Sequence, residues 1–204
     1  MKTYSTIAMF AALLIIACGC GTDPARIDAT GNAGLTTTDE INFKDWQMAA
    51  EKCVNSLLES GTLVRPDGKK SVVMVSTVKN STTQHIDVQI LTQKITSAIL
   101  RSGKAVTTTA VSGAGATDKS TKQVRDLQDD EMFNQKTVKK MGTAIAPDYS
   151  LAGEITQMKT AEGRMRESYF YFHMTLTDLE TGLAVWESQD IEIAKQSKKA
   201  LMGF

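Results

Sequence analysis

One segment comes close to a phosphate-binding loop. Gly113-Ala114-Gly115-Ala116-Thr117-Asp118-Lys119-Ser120 follows a run rich in threonine and valine. In such a loop the backbone N–H groups cradle phosphates and a lysine reaches the outer ones. Here Asp118 stands where glycine should precede the lysine. A carboxylate there repels phosphate, and only glycine lets the backbone turn so closely. No apolar strand ending in a magnesium-binding Asp follows, so the segment reads as a polar loop without a nucleotide. The two histidines are His85 and His173. His85 precedes Ile86-Asp87 at the start of a helix and reads as a capping or surface residue. His173 alternates with Tyr171 and Thr175 on a strand and reads as a half-exposed sheet position. The sequence holds no Gly-x-Ser-x-Gly elbow, no paired-cysteine metal motif and no histidine pair at helical spacing. The expectation is a non-enzymatic chain with no catalytic residue, no metal and no cofactor.

The cysteines carry the remaining chemistry. Lys2 precedes the uncharged apolar run Ile7 to Ile16, which has the length of a signal-peptide core and is too short to span a bilayer. It ends in Ile15-Ile16-Ala17-Cys18, which resembles the bacterial lipobox, whose cysteine thiol receives diacylglycerol and becomes the mature N-terminus. Cys20 is the competing acceptor, with Ala17 where the lipobox prefers an aliphatic residue. Several acyl chains, at about 0.8 kcal/mol per buried methylene, hold a protein on a membrane far better than one. The residue after the acceptor is Gly19, or Gly21 for Cys20. Neither is the aspartate that retains enteric lipoproteins in the inner membrane. In a Gram-negative cell the expected location is therefore the periplasmic face of the outer membrane. Cys53 falls on the apolar side of a helix and reads as an inert packed thiol.

Charge is balanced, with 23 basic and 23 acidic residues. Such a chain has no electrostatic footprint for nucleic acid. The expected organisation is a signal peptide over 1–17, a lipidated N-terminus and flexible tether over 18–40, and one domain over 41–204. The tether, rich in Gly, Thr, Asp and Ala, shows no periodicity.

The elements of the domain follow from periodicity. Phe43, Trp46, Ala50, Cys53, Val54, Leu57 and Leu58 recur at helical spacing before Gly61. Val72 to Val75 reads as a buried strand ending near Val78. Ile86, Ile90, Leu91, Ile95, Ala98 and Ile99 form one face of a second helix, which stops at Ser102-Gly103. Ala105 to Val111 reads as the next strand. Two helical pieces are expected around Gln123 to Asp129 and Gln135 to Ile145. Tyr149, Leu151, Gly153 and Ile155 alternate, as do Phe170, Phe172, Met174 and Leu176, and Leu183 to Ile193 reads as a final strand. The expected fold is a single compact mixed-sheet α/β domain: helix, β-α-β, helices, then a three-strand meander.

The segments Val73 to Thr82, His85-Ile86-Asp87, Ser102-Gly103-Lys104, Ala146-Pro147-Asp148-Tyr149-Ser150-Leu151-Ala152-Gly153-Glu154-Ile155 and Leu179-Glu180-Thr181-Gly182, followed by Val185-Trp186, resemble the LpoB family of lipoprotein activators of class A penicillin-binding proteins. The resemblance runs from Trp46 to about Lys195. It implies a fold similar to the TolB N-terminal-like domain and a regulatory role. An outer-membrane lipoprotein of this kind reaches through the peptidoglycan and stimulates a bifunctional class A penicillin-binding protein. The tether here is shorter than in the enteric type. Its roughly 20 residues span at most about 70 Å extended and roughly 25 Å as a coil.

A binding module needs a contact surface. Phe170, Phe172, Met174 and Leu176 point to one side of their strand and call for a helix layer. Tyr169, Tyr171, His173 and Thr175 point to the other, where tyrosines suit a partner contact; the competing reading is that the Trp46 helix covers them. The run Lys159 to Arg166 reads as a hairpin tip, with Arg164 and Arg166 as basic contacts for an acidic partner or as a solvated turn. A secretion-assembly lipoprotein of the curli-secretion type is the second functional reading. It calls for a pair of alternating membrane strands, and only Glu167 to Asp178 offers one.

Overall fold

The computed structural model describes residues 40–111, 118–188 and 191–198. The signal peptide, Cys18, Cys20, the tether to Asp39 and most of the Gly113–Ser120 loop lie outside the described residues.

Helix α1, Phe43–Glu59, begins on a reciprocal cap. The Asn42 side chain accepts from the Lys44 and Asp45 N–H groups at 2.9 and 3.2 Å, and the Asp45 carboxylate accepts from the Asn42 N–H at 2.8 Å. Three otherwise orphaned donors are satisfied this way. Trp46, Ala49, Ala50, Cys53, Val54 and Leu57 then form its buried stripe. Helix α2, Val88–Ser102, starts at Asp87, whose carboxylate accepts from the Gln89 N–H at 2.9 Å, and ends at Gly103 in the left-handed region (φ 67°). The sequence reading had this helix include Ile86; the Asp87 cap starts it later and leaves His85 in the preceding loop.

Strand β1 (Ser71–Ser81), β2 (Ala105–Thr107) and β3 (Tyr149–Glu162) run parallel, while β4 (Met165–Asp178), β5 (Ala184–Glu187) and β6 (Glu192–Lys198) add antiparallel pairings. The sheet order is β2-β1-β3-β4-β5, with β6 also on β4. The apolar faces of α1 and α2 meet Val73, Leu151, Ile155, Phe170, Phe172, Met174 and Leu176 in one core. Trp46 meets Phe172 edge-on at 5.8 Å.

Polar side chains fix the strand ends. Asp148 accepts from the Val72 N–H and the Arg65 guanidinium, at 2.8 and 2.7 Å, and so sets β3 beside β1. Asn80 accepts from the Thr82 N–H at 3.0 Å and donates to the Gln84 carbonyl at 2.9 Å, turning the chain out of β1. Asp178 accepts from the Glu180 and Thr181 N–H groups at 2.9 Å each, closing the turn between β4 and β5.

Four expected elements differ. The strand expected over Ala105 to Val111 pairs only through Thr107, because β1 offers partners only from Ser71 to Val73. The helix expected over Gln135 to Ile145 is a set of turns. Gln135 spends its amide on the Asp130 and Phe133 carbonyls, Gly142 takes φ 76°, and Met141 and Ile145 stay exposed, so no apolar stripe is buried. The helical piece expected over Gln123 to Asp129 forms instead as α3, Ser120–Asp126. The single strand expected over Leu183 to Ile193 is split into β5 and β6. Between them the Met174 N–H donates to Ser188 Oγ, which donates to the Phe172 carbonyl, at 2.8 and 3.1 Å. A buried hydroxyl thus fills a break in the ladder.

Candidate partner-binding face

Strand register builds the face. On β4, the Phe172 N–H donates to Ile191 and Met174 exchanges bonds with Ser188, so even-numbered residues bond toward β5 and β6. Odd-numbered ones bond toward β3, and their side chains leave on the side away from the helices. Tyr169 lies opposite Met158 on β3 and Ala194 on β6; Tyr171 lies opposite Thr156 and Glu192; His173 lies opposite Glu154. Tyr169 and Tyr171 are half-buried and His173 is exposed. Among the described residues no helix covers this side: α1 carries Trp46 to the opposite face, against Phe172. The competing expectation, that the Trp46 helix covers the tyrosines, is overturned by that contact.

Hydrogen bonds pin the face at several points. The Tyr169 hydroxyl donates to Glu167 at 3.0 Å, and Gln196 donates to the other Glu167 oxygen at 2.9 Å. Holding that bond raises the Tyr169 phenol above its ordinary value and keeps it a donor. His173 Nε2 meets Glu187 at 2.6 Å. Glu154 is held below the usual carboxylate range, first by the Ser81 hydroxyl and then by Lys79, whose Nζ lies 2.9 Å away. The face therefore pairs aromatic area with fixed charges, a composition suited to a protein contact.

The arginines are placed differently. Arg164 sits in the two-residue turn after Gly163 (φ 56°), and Arg166 lies opposite Ala161 and Ser197. By alternation Arg166 shares the side of Phe170, so the hairpin joins it to the tyrosines in sequence but not on one face. Met158, Ala194 and Glu192, which complete the face, were missed by sequence reasoning. Only the cross-strand register assigns them.

The other candidates resolve structurally. Asp118 accepts from the Ser120 N–H at 2.9 Å, so its own carboxylate sits on the helix start that a phosphate would use. His85 is exposed. Cys53 is free and buried, and burial pushes its thiol up to about 12. Among the described residues no cluster of potential ligands could hold a metal ion.

The geometry is that of a mixed α/β domain with helices on one face of the sheet and an open amphipathic face on the other. The family model described as peptidoglycan-synthase activator LpoB matches residues 45–191, and the chain belongs to that family of activators. Among curated proteins none matches. Among solved structures, the chain is similar to the LpoB C-terminal domain from Salmonella enterica, with 17% identity, 76% of this chain and 99% of that one covered, and a TM-score of 0.39. The LpoB C-terminal domain from Escherichia coli gives 16%, 76%, 99% and 0.40. Lipoprotein GNA1162 from Neisseria meningitidis gives 10%, 63%, 83% and 0.34. The curli-secretion reading gains no support from these matches.

Proposed function

We propose that this chain is a lipid-anchored activator of a class A penicillin-binding protein, held on the periplasmic face of the outer membrane through Cys18 or Cys20. It docks on the synthase through the sheet face of Tyr169, Tyr171 and His173. The observation that supports the site is that this face stays open while the helices cover the opposite one. Membership of the activator family supports the synthase as partner. Hot spots favour tyrosine, and truncating one costs about 2 kcal/mol or more of binding.

The experiment pairs two neighbours. Tyr171→Ala should melt near the wild-type temperature and lose most stimulation of glycan polymerisation by the purified synthase. Phe170→Ala, which empties a fully buried site, should lose about 3 to 5 kcal/mol of stability. A Tyr171 variant that folds and stimulates fully removes the proposed face.

A further inference from the structure

The sheet leaves its strand edges unequally protected. Pairing of β1 with β3 ends at Ser81↔Thr156, whereas β3 and β4 stay paired without a shift to Glu162↔Met165. From Gln157 to Glu162, β3 therefore has no strand on its outer side among the described residues. Even-numbered β3 residues bond to β4, by the register above, so the N–H and C=O groups of Gln157, Lys159 and Ala161 point outward. Thr83 closes the first of these positions, its N–H and hydroxyl donating to Gln157 Oε1 at 3.1 and 2.9 Å. Lys159 and Ala161 remain. Other edges are guarded: β2 and β5 are three and four residues long. Strand β6 carries Lys195, turned inward onto Asp45 at 2.7 Å. Short edges and inward charges are the usual defences against unwanted pairing. The β3 edge has no proline and no bulge, and its one lysine, Lys159, is drawn onto Thr83 Oγ1 at 2.8 Å. It also adjoins the candidate face, since exposed Met158 lies opposite Tyr169.

We infer that the β3 edge at Lys159 and Ala161 receives an extended strand of the synthase, extending the sheet by main-chain hydrogen bonds. This rests on the reading that the partner is a class A penicillin-binding protein. The tyrosine face then supplies side-chain contacts, and the edge supplies direction and register.

Amide hydrogen exchange on the full chain in detergent, read residue by residue, tests this with and without a saturating purified class A synthase. The Lys159 and Ala161 amides should exchange fast alone and slow about tenfold or more with the synthase. Those of Met158 and Thr160 should be slow in both states. Ala161→Pro removes an outward N–H without cutting the β4 ladder. It should weaken binding about tenfold. Binding that leaves Lys159 and Ala161 unprotected overturns the edge and spares the functional reading; no binding at all overturns both. Protection that appears on raising the chain's own concentration assigns the edge to a second copy and overturns the inference. So does a folded Ala161→Pro variant that binds like the wild type.

Discussion

Gly153 has no room for a side chain: a Cβ there would stand 2.5 Å from the His173 carbonyl oxygen and collide with the Met174 sulfur. Gly153→Ala should therefore lose about 1 to 3 kcal/mol, visible as a lower melting temperature of the purified domain. Acid should weaken the fold through Asp178, whose carboxyl is held below the usual range by the Thr181 N–H and then the Glu180 N–H. A depressed carboxyl contributes stability above its unfolded value, near 3.9, and loses it as pH falls through the folded value. Melting temperatures should fall below about pH 4, and Asp178→Asn should flatten that part of the profile. An unchanged acid limb would assign the loss to other carboxylates. The roles of these residues are not legible in the sequence. That Asp148 ties β3 to β1, or that Asp178 closes a turn, depends on partners 76 residues away or on backbone N–H groups that no side-chain pattern reveals.

Elements whose sequence carried both a period and a stop signal were read correctly. Helix α1 has its stripe, α2 ends at Gly103, and β4 alternates from Ser168 to Leu176. The expected helix over Gln135 to Ile145 had neither a continuous stripe nor a cap, and local side-chain bonds won there. The expected strand to Val111 failed because strand length is set by the neighbour. The break at Ser188 escaped notice because a serine in a strand gives no signal of where its hydroxyl points. Half of the candidate face was likewise hidden, since Met158, Ala194 and Glu192 join it only through register. Lys195 and Asp45 form an ion pair with both side chains about one-tenth exposed. Lys195→Met leaves Asp45 buried without its cation and should cost about 3 kcal/mol. In an Asp45→Asn background the same change should cost much less, and a double-mutant cycle on melting free energies measures the coupling. Equal costs in both backgrounds would show that the pair does not act as a unit.

For the molecule as a whole, the proposal makes lipidation and docking two ends of one device. Cys18→Ala should abolish labelling by a radioactive fatty acid and release the chain from membranes, whereas Cys20→Ala should not, because only Cys18 has an aliphatic residue three places upstream. Label lost only in the Cys20 variant moves the anchor two residues on. The Asp45–Lys195 pair then takes on a mechanical meaning. On that proposal the chain from the membrane would enter the domain ahead of α1, where Asp45 both caps the helix and holds β6. A tug between lipid and synthase would then be delivered to that one corner. On that proposal it would pass across the Asp45–Lys195 ion pair into the strand layer that carries Tyr169 and Tyr171. Tension from a stretched envelope would reach the bound enzyme through a stiff joint, and the domain would act as a strut between two surfaces.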